Sequence, residues 1–156
     1  MTDQVDASLS TGAFVGWTFA IVGLIATLYG WKVRGRQQRN LAKRKDIHDS
    51  IDKAVKALID YEDGAISFWT DKDSKLSKNS ILILHRRLTV SLRQIEELTG
   101  SPPPYELLQQ LHRSATLDFE NAKRPISSSS ERIARIAMSS GKLQNTSYLM
   151  KSWKED

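Results

Sequence analysis

Residues 11–31 read TGAFVGWTFAIVGLIATLYGW, a run without one charged side chain, and seven cations follow within residues 32–45. The junction between the two stretches decides how the rest of the chain is read. A helix rises roughly 1.5 Å per residue, so a run of this length covers about 30 Å, the thickness of a bilayer's hydrocarbon core. The cations are Lys32, Arg34, Arg36, Arg39, Lys43, Arg44 and Lys45, and no acid interrupts them before Asp46. Such clusters stay on the cytoplasmic side of a membrane. The expectation is a single-pass protein of a bacterial inner membrane or its equivalent, N-terminus outside and C-terminal domain in the cytoplasm.

That expectation divides the chain into four parts. Residues 1–10 form a short extracytoplasmic tail, 11–31 a transmembrane helix, 32–45 a basic juxtamembrane segment and 46–156 a cytoplasmic helical bundle. A secretory signal peptide fits poorly. It would open on basic residues and end in small ones, whereas Asp3 and Asp6 precede this run and Tyr29-Gly30-Trp31 closes it. The ten-residue tail is too short to fold into a sensing domain.

The apolar run has internal order. Gly12, Gly16, Ala20, Gly23, Thr27 and Gly30 recur at steps of three and four, which places small residues on one helical face. Two membrane helices need such a face to approach closely, because packing must replace the hydrophobic drive that lipid cannot supply. The face predicts self-association or pairing with another transmembrane helix. Trp17 near one end and Tyr29 and Trp31 near the other fit interfacial anchors.

Charge bookkeeping removes one class of partner. The net charge of +5 comprises −2 over residues 1–10, +7 over 32–45 and zero over 46–156. The basic excess is therefore juxtamembrane, where it acts as a topology signal and suits anionic headgroups. A nucleic-acid-binding domain would carry a basic surplus of its own. Nucleic acid is accordingly not an expected partner.

Beyond the cations the spacing predicts an all-α domain. Ile47, Ile51, Val55, Leu58, Ile59, Ile66 and Trp69 mark a first amphipathic helix, which runs on from the span unless Gly35 breaks it. DKDSKLSKNS, residues 71–80, reads as a turn. Ile81, Leu84, Leu88, Leu92, Ile95 and Leu98 mark a second helix that Gly100 caps. Leu108, Leu111, Ala115, Phe119 and Ala122 mark a third, ended by Pro125. Ser128 and Glu131 fit a capping box that opens a fourth helix through Ile133, Ile136, Ala137 and Ser140, weakening at Gly141. The tail, with Leu143, Tyr148, Leu149, Met150 and Trp153, is expected to pack on the bundle. Residues 46–73 carry −5 and residues 74–95 carry +5, which favours the first two helices as antiparallel neighbours.

No catalytic pattern emerges. The chain lacks Cys, and no acid lies three residues before His48, His85 or His112, so a carboxylate-bridged di-metal bundle is excluded. Glycine-rich phosphate loops, nucleophile elbows and calcium loops are likewise missing from the sequence. His48 and His85 read as solvated surface residues. Neither an enzymatic activity nor a cofactor is expected. The reading is a membrane-anchored scaffold that holds an unidentified cytoplasmic protein at the bilayer. The alternative is a small membrane-disrupting effector, toxin or holin-like, whose spans assemble into a lesion.

Overall fold

A computed structural model describes the backbone of residues 4–119 and 123–150. Before residue 38 it describes the side chains of Gly23, Leu24, Thr27, Tyr29 and Trp31. Four helices and no strand occur among the described residues: α1 (Gln4–Thr70), α2 (Lys78–Thr99), α3 (Tyr105–Thr116) and α4 (Glu131–Gln144). The chain divides into a unit of Met1–Lys43 and a unit of Arg44–Asp156. No helix among the described residues is long and apolar enough to cross a membrane. The side chains that dominate the apolar run, from residue 11 to residue 22, lie outside the described residues.

In the second unit, contacts along the helices set their directions. Tyr105 Oη donates to Glu96 Oε2 while His85 stacks on His112, so α2 and α3 are antiparallel. Ser114 pairs with Ser139 and Arg132 with Asp118, which makes α3 and α4 antiparallel. Ser140 Oγ donates to Glu62 Oε2 at 2.6 Å, and Arg132 lies over Trp69, so α4 also runs against α1. The result is an up-down-up-down bundle, the topology that short connections favour.

The buried face of α1 is Ile51, Ala54, Leu58, Tyr61, Ala65, Phe68 and Trp69. This stripe is rotated from the expected one: Ile59 is exposed, and Val55 and Ile66 are half-buried. Counting large aliphatics passed over Ala54, Ala65 and Tyr61, whose size suits close helix approach and a filled centre. From α2 come Ile81, Leu88, Leu92 and Ile95, from α3 Leu108, Leu111 and Ala115, and from α4 Ile133, Ile136 and Leu143. Of the stripe expected on α4, Ala137 is exposed, while Ser140 is buried and donates to Glu62. The tail packs on the bundle at Leu149, and Tyr148 Oη donates to the Leu92 carbonyl at 2.8 Å; Trp153 lies outside the described residues.

Helix ends account for three further differences. The capping box forms at α2, where Ser77 Oγ accepts from the Ser80 backbone and Ser80 Oγ accepts from the Ser77 backbone. It does not form at Ser128 and Glu131. Ser127–Ser130 make a turn of their own, Ser130 caps by backbone alone, and Glu131 becomes the first helical residue, where it pairs forward with Arg135. α3 stops at Thr116, short of Phe119 and Pro125. Arg132 captures the Leu117 carbonyl and the Asp118 carboxylate, and Asp118 takes a left-handed φ of 58°. Gly100 caps α2 as expected, with φ 75° and its N–H donating to Glu96.

Candidate functional site

α2 packs over α1 at Gly64, where an added Cβ would meet Leu84 Cδ1 at 2.6 Å and Ile81 Cδ1 at 3.7 Å. Towards the amino end of this part of α1 the two helices enclose an open groove of ≈ 520 Å³. Lys53, Lys56, Ala57 and Asp60 line it from α1, and Ile83, Arg86, Arg87, Val90 and Ser91 from α2. Both sets follow the same i, i+3, i+4, i+7 spacing, so each helix turns one continuous stripe into the groove. Ile83 and Val90 are about half exposed, at 53% and 47%, which leaves apolar surface uncovered on a stripe suited to helix packing. Four cations and one acid stand around it. The ion pairs Arg132–Asp118 and Arg135–Glu131 lie elsewhere and engage none of the four.

This cationic groove is invisible to net charge. The span 46–156 sums to zero, yet the fold sets the lysines of α1 beside the arginines of α2, with Asp60 the one acid in the lining. The opposite charge of the two helices foretold their adjacency. It did not foretell that cations from both helices would outnumber the acid along the groove.

A second constellation joins α1, α2 and α3. The Tyr61 ring lies 5.6 Å from the His85 ring, the His85 and His112 rings are 4.1 Å apart, and Tyr61 Oη is 3.5 Å from His112 Nδ1. His85 is therefore half-buried in this cluster, not a solvated surface residue. Its Nε2 is buried without a hydrogen-bond partner. Burial, with His112 adding to it, pushes the His85 pKa down to about 4, and burial also lowers that of His112. Burial raises the Tyr61 pKa well above its ordinary value. Both imidazoles are thus neutral near pH 7. No group of three or more His, Cys, Asp and Glu side chains among the described residues is placed to hold a metal ion. The three rings pack against one another across α1, α2 and α3.

At the carboxyl end of α1, Phe68, Trp69 and Phe119 cluster with centroids 4.9 to 5.8 Å apart. Arg124 lies 3.9 Å over Phe68 and Arg132 lies 4.0 Å over Trp69. α1 has no basic residue in its last turn, and its terminal carbonyls find donors elsewhere: Arg124 Nη1 for Phe68 and the Ile126 N–H for Trp69. This cluster closes the bundle at the carboxyl end of α1.

Gly23 has nothing within 4 Å of an added Cβ, and Thr27 Oγ1 donates to the Gly23 carbonyl at 2.8 Å. Tyr29 and Trp31 are exposed, as are Arg39, Lys43, Arg44 and Lys45. The side chains of Gly12, Gly16, Trp17, Ala20, Gly30, Lys32, Arg34 and Arg36 lie outside the described residues. Comparison of the chain with protein-family models, with curated proteins and with solved structures finds no match.

Proposed function

We infer that this protein is a single-pass, membrane-anchored helical interaction module. Residues 11–31 anchor it, residues 32–45 keep the bundle in the cytoplasm, and the bundle holds a protein partner at the bilayer. The observation that carries the reading is the uncharged run ending against seven cations. Supporting it, Leu24, Tyr29 and Trp31 have most of their surface uncovered by protein, and the bundle keeps an open groove outside its core. The small-residue face of Gly12, Gly16, Ala20, Gly23, Thr27 and Gly30 supplies a self-association surface.

The chain lacks Cys, so single reporter thiols give a clean test of topology. Ser8→Cys should react with a membrane-impermeant maleimide on intact cells, and Ser147→Cys should react after lysis. The inverse pattern, or release of the chain by an alkaline carbonate wash, would overturn the reading. Gly16→Ile with Gly23→Ile should weaken association in a membrane two-hybrid assay; unchanged association removes the role given to the small face. Rapid collapse of membrane potential on expression would favour a lesion-forming effector instead.

A further inference from the structure

We propose that the groove between α1 and α2 is a docking site for an acidic amphipathic helix of a partner protein. The proposal rests on the interaction-module reading and gives the partner its chemistry. Three features of the groove point to this occupant. Its two walls are helices lined at i, i+3, i+4, i+7, so the space between them has the shape into which another helix packs. Its lining spans Lys53 to Asp60 and Ile83 to Ser91, about two turns, which accommodates two or three apolar anchors of a bound helix. Around the apolar surface of Ala57, Ile83 and Val90, the cations Lys53, Lys56, Arg86 and Arg87 outnumber the acid Asp60. Apolar anchors flanked by carboxylates satisfy both features at once.

Other occupants fit less well. A second copy docking isologously would set this cationic groove against itself, and like charges would oppose. A nucleic-acid backbone would gain from the cations and nothing from Ile83 or Val90. Anionic headgroups would also be drawn to the cations, and the test separates them.

The full chain in phosphatidylcholine nanodiscs is offered a displayed library of short helical peptides. Their heptad apolar positions are held as leucine, and their flanking positions vary among glutamate, lysine and serine. Selection should enrich glutamate. Binding of the selected peptide should weaken about tenfold in Arg86→Glu with Arg87→Glu, the size of loss expected when interfacial charges are reversed. Val90→Asp should weaken it comparably. Because all three side chains are exposed, circular dichroism should be unchanged. If the charge reversal perturbs the fold, Arg86→Gln with Arg87→Gln gives a smaller loss in the same direction. Equal enrichment of lysine, or equal binding to the arginine variants, overturns the proposal. So does a failure to select any peptide while a fluorophore at Val90→Cys responds to phosphatidylserine vesicles. The two readings fail separately. Carbonate release of the chain with peptide binding intact removes the anchor, and loss of peptide selection on a firmly anchored chain removes the groove.

Discussion

Gly64 and Gly141 show how one residue type is used in two ways. At Gly64 α2 packs over α1, and a Cβ there crowds only the terminal methyl of Leu84, with Ile81 at ordinary contact distance. Gly64→Ala is expected to be near neutral, since Leu84 can swing aside and alanine favours the helix by roughly 1 kcal/mol. Gly64→Val adds bulk that cannot be absorbed and should cost about 1–3 kcal/mol in chemical denaturation. Gly141 lies inside α4 with nothing within 4 Å of an added Cβ. Gly141→Ala should therefore stabilise by about 0.5–1 kcal/mol. The histidine pair makes a pH prediction. As pH falls below the ordinary histidine value of about 6.5, the unfolded chain takes up protons that folded His85 and His112 resist, so stability declines. For His85 the decline runs down to about pH 4. Melting temperature by near-UV circular dichroism should drop between pH 7 and 5, and the drop should shrink in His85→Gln. Identical pH slopes in both proteins would show that the ring cluster does not couple folding to protonation.

Among the elements, the closure of α1 against α4 depends on one arginine far more than on its neighbour one turn away. Arg132 lies over Trp69, donates to the Leu117 carbonyl and pairs with Asp118 at 3.0 Å, with its side chain 22% exposed. Arg135 pairs with Glu131 along the same helix, and both side chains are mostly exposed, at 58% and 78%. Removing Arg132 frees a carbonyl and uncovers an indole face, so Arg132→Ala should cost roughly 1–2 kcal/mol. Arg135→Ala should cost less than about 0.5 kcal/mol. Urea denaturation of the two variants side by side checks the ordering. The element boundaries were legible where local chemistry sets them: Gly100 ended α2, and the turn expected over residues 71–80 contains the observed connection, with α2 starting three residues early at Lys78. They were illegible where a distant side chain sets them. Thr116 ends α3 because Arg132, from another helix, holds Leu117 and Asp118, and no window around residue 116 contains that information.

For the whole molecule, an all-helical bundle follows from hydrophobic spacing, and the antiparallel order follows from short connections between helices. Burial of the larger apolar residues of α2 and α3 was legible for the same reason. The face of α1 was read less well, because Ala54, Tyr61 and Ala65 are buried by the neighbours they fit and not by their hydrophobicity; on α4, Ala137 alone of the expected stripe is exposed. The groove lay beyond sequence reasoning altogether. Lys53 and Lys56 lie some thirty positions from Arg86 and Arg87, and a net charge sums over the very separation that folding removes.

By itself the sequence determined the helical class, the turn between α1 and α2 and the Gly100 cap. It also carries the charge pattern on which the membrane proposal rests. Those properties depend on residues near one another in the chain, through backbone geometry, periodicity and the summed cost of charge. Tertiary structure alone decided which stripe of α1 is buried, where α3 stops, that His85 and His112 stack, and that four cations share one groove. Each of these depends on side chains brought together across helices, where packing and desolvation act and local spacing is silent.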